Sequence, residues 1–161
     1  MKLKVGPYGV IVLSFIAAFM LTALPLPEWA RPWRPAWVAM VLLYWSIASP
    51  QQVGVMFGWI TGLLLDVLNG AVLGQHALGL ALLAYVAVIY HQRIRLFPMF
   101  RQAVVIGSII FFYLVLMITI YGLLGTVPYG YLYLAGAVTS GLLWPWVFVI
   151  LRDVRRTASA A

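Results

Sequence analysis

The sequence predicts an all-α, polytopic membrane protein of six transmembrane helices. Three observations predict it. Of 161 residues, 65% are apolar and only 8% are charged, and the mean hydropathy is +1.06. A soluble domain of this size cannot hide that much apolar surface, so the bilayer must be the solvent. Apolar stretches recur along the chain between turns rich in Pro, Gly and Trp. Finally, Lys and Arg gather at alternate connections, as expected when cytoplasmic loops carry the positive charge.

Crossing the hydrocarbon core takes about 20 apolar residues in a helix. The first segment runs from Pro7 to Leu24 and stops at Pro25 and Pro27, which cannot continue a helix. Lys2 and Lys4 before it resemble the start of a signal peptide. The run is long for that purpose, and it ends in Leu-Pro-Leu-Pro with no small-residue cleavage site, so a retained helix is expected. A Trp-, Pro- and Arg-rich connection from Leu26 to Pro35 follows. The second segment, Ala36 to Ser49, is short and ends at Pro50. The third spans Gln51 to Asn69, the fourth His76 to His91, the fifth Ala103 to Leu124 and the sixth Tyr131 to Leu151. Pro145 should loosen or kink the last helix, and Thr157 to Ala161 should fray.

Loop charge tests this count. Six spans with an internal amino terminus leave Lys2, Lys4, Arg93, Arg95, Arg101, Arg152, Arg155 and Arg156 inside, with Arg31 and Arg34 outside. Eight against two is a strong bias. Re-entry of the second and third segments as a pair would preserve it, because only Pro50 and two glutamines separate them. Trp29, Trp33 and Trp37 suit the outer interface, where indoles bury their rings and keep N–H groups wet. One membrane domain over residues 1–161 is expected, with residues 1–6 and 152–161 cytoplasmic.

The net charge of +7 comes from ten Lys and Arg against Glu28, Asp66 and Asp153. In a membrane chain it reads as orientation charge, with no nucleic-acid partner implied. The absence of cysteine removes disulfides and thiolate metal sites. No paired carboxylates, phosphate-binding glycine loop or nucleophile elbow is present. His76 and His91 stand at opposite ends of one span, ~22 Å apart on a helix, and cannot share a metal. Neither an enzyme nor a cofactor is expected.

Within the membrane segments the notable pattern is Gly54, Gly58, Gly62, then Asp66 and Gly70. Glycine at this spacing lets another helix approach closely, and lipid cannot solvate a carboxylate. Steps of four residues drift about 40° around a helix, so Asp66 belongs to the upper part of that face only. It either pairs with His76 across the Asn69–Gln75 turn, serves as a proton site, or reaches headgroup water. Gln75 and His76 are the other candidate buried polar residues. Gly136 with Ser140, and Ala137 with Gly141, suggest a second close contact, within the fold or with a partner. Arg93, Arg95 and Arg101, and later Arg152, Arg155 and Arg156, form basic clusters. They suit topology and anionic lipid, or the docking of a cytoplasmic protein.

The ordered motifs resemble a known family. They are Arg-Pro-Ala-Trp-Val at 34–38, Leu-Leu-Tyr-Trp at 42–45, Pro50, Gly54, and Gly-Leu-Leu-Leu-Asp-Val-Leu at 62–68. Leu-Gly-Gln-His-Ala-Leu at 73–78, His-Gln-Arg at 91–93, Leu-Leu-Trp-Pro-Trp-Val-Phe at 142–148 and Leu-Arg-Asp-Val-Arg-Arg at 151–156 complete the set. Together, from about Leu24 to Arg156, they resemble the rod shape-determining protein MreD. The resemblance implies a non-enzymatic scaffold of the bacterial inner membrane that binds MreC. Through MreC it would connect indirectly to MreB, and to RodA with its penicillin-binding transpeptidase, to organise lateral peptidoglycan synthesis. It also implies a fold similar to the substrate-binding subunits of energy-coupling-factor transporters. A small-molecule transporter subunit is therefore the alternative, with Asp66, Gln75, His76, Tyr44, Tyr85 and Ser46 as its few polar groups. The family carries no established catalytic residues, so none is assigned.

Overall fold

The computed structural model describes residues 6–125 and 130–160, with side chains through Ser159. Lys2 and Lys4, the leader-like start, Ala161 and residues 126–129 lie outside it. Six α-helices make up the described chain: α1 Pro7–Ala23, α2 Trp37–Ala48, α3 Val55–Asn69, α4 Gln75–Leu96, α5 Met99–Leu123 and α6 Ala135–Ala160. Short 3-10 turns at Arg31–Trp33 and Gly130–Leu134 precede α2 and α6. No strand occurs among the described residues. Proline does much of the punctuation. Pro7 opens α1 with its fixed φ, Pro50 follows the end of α2, and Pro98 holds Phe97 extended between α4 and α5.

The helices run up and down. One end of the bundle gathers the α3–α4 turn and the start of α6, and is called here the aspartate end. The other gathers the α4–α5 link and the end of α6, the arginine end. The α4 and α5 helices and the stretch Gly130–Ser159 are long and apolar enough to cross a membrane; α1 and α3 are shorter apolar helices.

At the centre lies α2. Val38 through Ile47 are ten consecutive buried residues, so apolar groups on every side of this helix face protein. A helix apolar all round belongs in a core, and twelve residues span only ~18 Å. The short second segment is therefore a core helix enclosed by its neighbours. Its ends are met from outside. At the start the Ala36 amide donates to Ser140 Oγ at 2.9 Å. At the finish Arg95 donates to Ile47 O and Ala48 O, both at 2.8 Å. The Trp45 indole donates to Ser14 Oγ on α1 at 2.8 Å, tying in the first helix.

Several expected boundaries move. The third helix starts at Val55, after a turn through residues 49–54, and the fourth runs on to Leu96. The fifth begins at Met99, so the link between them is only Phe97 and Pro98. His91, Arg93, Arg95 and Arg101 thus sit on helices and not in a loop. The last helix starts at Ala135 and continues through Pro145 to Ala160, so the expected fraying from Thr157 is not seen. The α3 and α6 helices start later than expected, while α4, α5 and the end of α6 outlast their most apolar stretches, because backbone hydrogen bonds persist past the point where side chains turn polar.

Candidate functional site

The aspartate end is built by the α3–α4 hairpin. Side-chain absence at Gly58 and Gly62 brings the two helices together. A Cβ on Gly58 would lie 2.8 Å from Leu80 O and 3.0 Å from Ala84 Cβ. A Cβ on Gly62 would overlap the Ala77 backbone and come 2.6 Å from His76 O. Gly54 is different: it precedes α3, and a Cβ there would meet only Pro50 O at 3.8 Å. It drops out of the packing stripe.

One turn past Gly62, the close approach carries Asp66 against the first turn of α4. The chain must reverse at once, and Gly70 and Gly74 do it with φ of 64° and 100°, values that favour glycine. Gly74 cannot cap α4 with a side chain, and Asp66 takes that role from the neighbouring helix. Its Oδ2 accepts the Gly74 amide at 2.9 Å and the Ala77 amide at 3.4 Å. Its Oδ1 accepts the His76 amide at 2.8 Å and lies 2.7 Å from His76 Nδ1. The first amides of a helix are otherwise unpaired and carry partial positive charge, so a buried carboxylate is well matched there. Asp66 is fully buried and does not extend to headgroup water.

The His76 ring is thereby oriented. With Nδ1–H donating to the carboxylate, the neutral ring leaves Nε2 as an acceptor. The histidine lines a cavity of about 450 Å³ with Arg34, Asn69, Tyr113, Tyr121 and Tyr133. His76 and Tyr121 meet edge to face at 6.4 Å between centroids, and Tyr121 meets Tyr133 at 6.0 Å. Arg34 holds the rim by donating to Thr22 O and Leu24 O, each at 2.6 Å. It thereby occupies the last carbonyls of α1. Gly136 lines the same cavity, where a Cβ would come 2.9 Å from Arg34 O.

The predicted residues thus divide. Asp66, His76, Gly62 and Gly136 converge at the aspartate end. Gln75 is buried beside them, its Nε2 without a partner among the described residues. Ser140 serves the start of α2 and donates to Gly136 O at 2.6 Å. Ala137 and Gly141 pack on Gly107 of α5. Gly58, Gly62, Gly136, Ala137 and Gly141 thus meet other parts of the same chain, the within-fold side of that expectation. Tyr44, Ser46 and Tyr85 do not line this cavity. Arg93 is exposed, Arg101 lies over the Phe97 ring at 4.7 Å, and Arg95, Arg152, Arg155 and Arg156 surround a second cavity. Sequence reasoning missed Arg34 and the tyrosines. Tyr113 and Tyr121, eight apart on one helix face, carried a usable signal.

The carboxylate of this site is committed to capping α4. No group of three His, Cys, Asp or Glu residues that could hold a metal occurs among the described residues. A family model described as rod shape-determining protein MreD matches residues 4–154. The chain belongs to the MreD family. A relative named Rod shape-determining protein MreD, from Haemophilus influenzae (strain ATCC 51907 / DSM 11121 / KW20 / Rd), is 34% identical over 142 residues. The match covers 88% of this chain and 88% of that protein. No solved structure matches the chain. As an MreD family member it brings a buried Asp66–His76 pair and a tyrosine-lined cavity to one end of its bundle.

Proposed function

We propose that this chain is a non-enzymatic, multi-pass scaffold of the bacterial inner membrane that binds MreC and helps organise lateral peptidoglycan synthesis. Membership of the MreD family over residues 4–154 carries this reading. Through MreC it would act indirectly on MreB, and on RodA with its penicillin-binding transpeptidase. Six helices cross or penetrate the bilayer, and both termini are cytoplasmic. Charge supports that orientation: Arg93, Arg95, Arg101, Arg152, Arg155 and Arg156 gather at one end, against Arg31 and Arg34 at the other. The arginine end then faces the cytoplasm and meets anionic lipid.

With the glycine faces consumed inside the fold, MreC would use the apolar outer faces. Depletion microscopy combined with MreC co-purification tests the proposal. Rounded cells and co-purifying MreC are expected; normal rods on full depletion would overturn it.

A second reading, a membrane substrate-binding subunit of a small-molecule transporter, is favoured by one observation. The cavity beside His76 has the volume and the mixed lining of a small-ligand site. A tight small molecule carried through purification, with an uptake defect in place of rounding, would favour it.

A further inference from the structure

The second cavity, at the arginine end, has a volume of about 640 Å³. The last turns of α2 and α4, the first turn of α5 and α6 from Trp144 onward enclose it. Four guanidinium groups line it, those of Arg95, Arg152, Arg155 and Arg156, and no carboxylate does among the described residues. Asp153 is the nearest acid. It is 63% exposed and lies 3.6 Å from Arg152 Nε, too far for a hydrogen bond. That nitrogen is buried without a hydrogen-bond partner.

The walls are held in place. Arg95 is tied to the carbonyls of Ile47 and Ala48. Gln102 donates to Ile94 O at 3.1 Å and accepts the Trp144 indole N–H at 3.1 Å. Tyr44, Trp144 and Phe148 form an aromatic floor, with Tyr44 and Phe148 edge to face at 5.6 Å.

Like charges crowded around one concavity repel each other, and an anion relieves that repulsion. Guanidinium forks match phosphate oxygens two at a time, and the aromatic floor suits an amphiphile. We infer that this cavity binds the phosphate-bearing headgroup of an anionic lipid, with the phosphate among Arg152, Arg155 and Arg156. Arg95 forms the fixed wall. The inference deepens the anionic-lipid contact proposed above into a defined site. It is tested on purified protein without MreC, so its failure leaves the scaffold reading standing.

The test uses the full-length protein in detergent, with phosphatidylglycerol or phosphatidylcholine added and bound lipid counted by native mass spectrometry. Wild type should hold one phosphatidylglycerol through delipidation and no phosphatidylcholine. The triple variant Arg152→Gln, Arg155→Gln, Arg156→Gln should bind roughly 100-fold more weakly, at about 1 kcal/mol per basic residue. The corresponding triple lysine variant keeps charge and loses the forks, and should fall between. Its unchanged Tm guards against a folding artefact. Arg93→Gln with Arg101→Gln removes charge from the same end but not from the cavity, and should leave binding unchanged. Equal losses in this control and the triple variant would reduce the effect to diffuse surface charge and overturn the site. Inorganic pyrophosphate forms the second arm. Binding of pyrophosphate without phosphatidylglycerol selectivity would overturn the lipid assignment in favour of a soluble phosphate.

Discussion

Asp66 Oδ1 lies 2.7 Å from His76 Nδ1 and 2.8 Å from the amide nitrogen of the same histidine. One oxygen therefore fixes both the first turn of α4 and the ring that faces the cavity. Asp66→Ala would leave these buried donors, and the part-buried Gly74 amide, without their acceptor. A loss of about 3 kcal/mol is expected, since several donors lose their one acceptor and hydrogen bonds to a charged group are the stronger ones. Asp66→Asn keeps one acceptor and should cost about half as much. Thermal unfolding of the purified protein in detergent checks both; an unchanged Tm for Asp66→Ala would remove the capping role.

The glycines of α3 should form a graded series. Gly62→Ala meets α4 backbone, which cannot step aside, and should cost about 2–3 kcal/mol or abolish folding. Gly58→Ala places its methyl 2.8 Å from Leu80 O, α4 backbone that must shift, and 3.0 Å from the Ala84 methyl group, and should cost about 1–2 kcal/mol. Gly54→Ala makes only an ordinary contact, with Pro50 O at 3.8 Å, and should be neutral within ~0.5 kcal/mol. Expression and Tm of the three variants give the ranking, and a Gly54 variant as damaged as the Gly62 variant would contradict the packing.

Arg95 closes the carbonyl end of α2. Its charge is favourable there, and two charge-assisted hydrogen bonds satisfy carbonyls that the helix leaves free. Arg95→Gln should destabilise by about 1–2 kcal/mol, and Arg95→Lys by less. Arg34→Gln should act on α1 in the same way, and limited proteolysis should then cut the α1–α2 connection faster than in wild type. Equal digestion rates would separate Arg34 from the rigidity of that segment.

Trp144 and Gln102 invite a double-mutant cycle. Trp144→Phe leaves Gln102 Oε1 unpaired, and Gln102→Leu frees the indole and removes one of the two donors to Ile94 O, which keeps the Phe97 amide. Each single change should cost about 1–2 kcal/mol. The double variant should cost less than their sum by about 1 kcal/mol. Strict additivity in chemical or thermal unfolding would mean that the hydrogen bond contributes nothing to the fold.

Much of this architecture was legible in the residues. Pro25, Pro27 and Pro50 mark connections because a proline cannot extend the helical ladder past a helix end, whereas α6 runs on through Pro145. The Asp66–His76 pairing was legible because only a short, glycine-rich turn separates the two. The enclosure of α2 was not, since Leu42 or Met40 has the same hydropathy whether it faces lipid or protein. Nor was the role of Arg95: an arginine near a helix end looks alike as an orientation charge and as a cap for another helix. Arg93 and Arg95 read as loop residues in the sequence, because polar side chains past His91 resemble the end of a span, whereas both lie in the last turn of α4. The tyrosines of α5 escaped notice among apolar neighbours that line the helix on every side.

The hydrogen bond from Ala36 to Ser140 joins positions 104 residues apart. Its consequence concerns the order of biogenesis. The chain emerges from the ribosome from its amino terminus, so the innermost helix is synthesised early and receives its last neighbour near the end. Until α6 arrives, α2 has an unguarded start and one uncovered flank, and the membrane inserter or lipid must shelter it. Completion of this protein is therefore a late event, and a nascent chain stopped before Ser140 holds a centre packed by α1 and α4 but open on the side that α6 will cover.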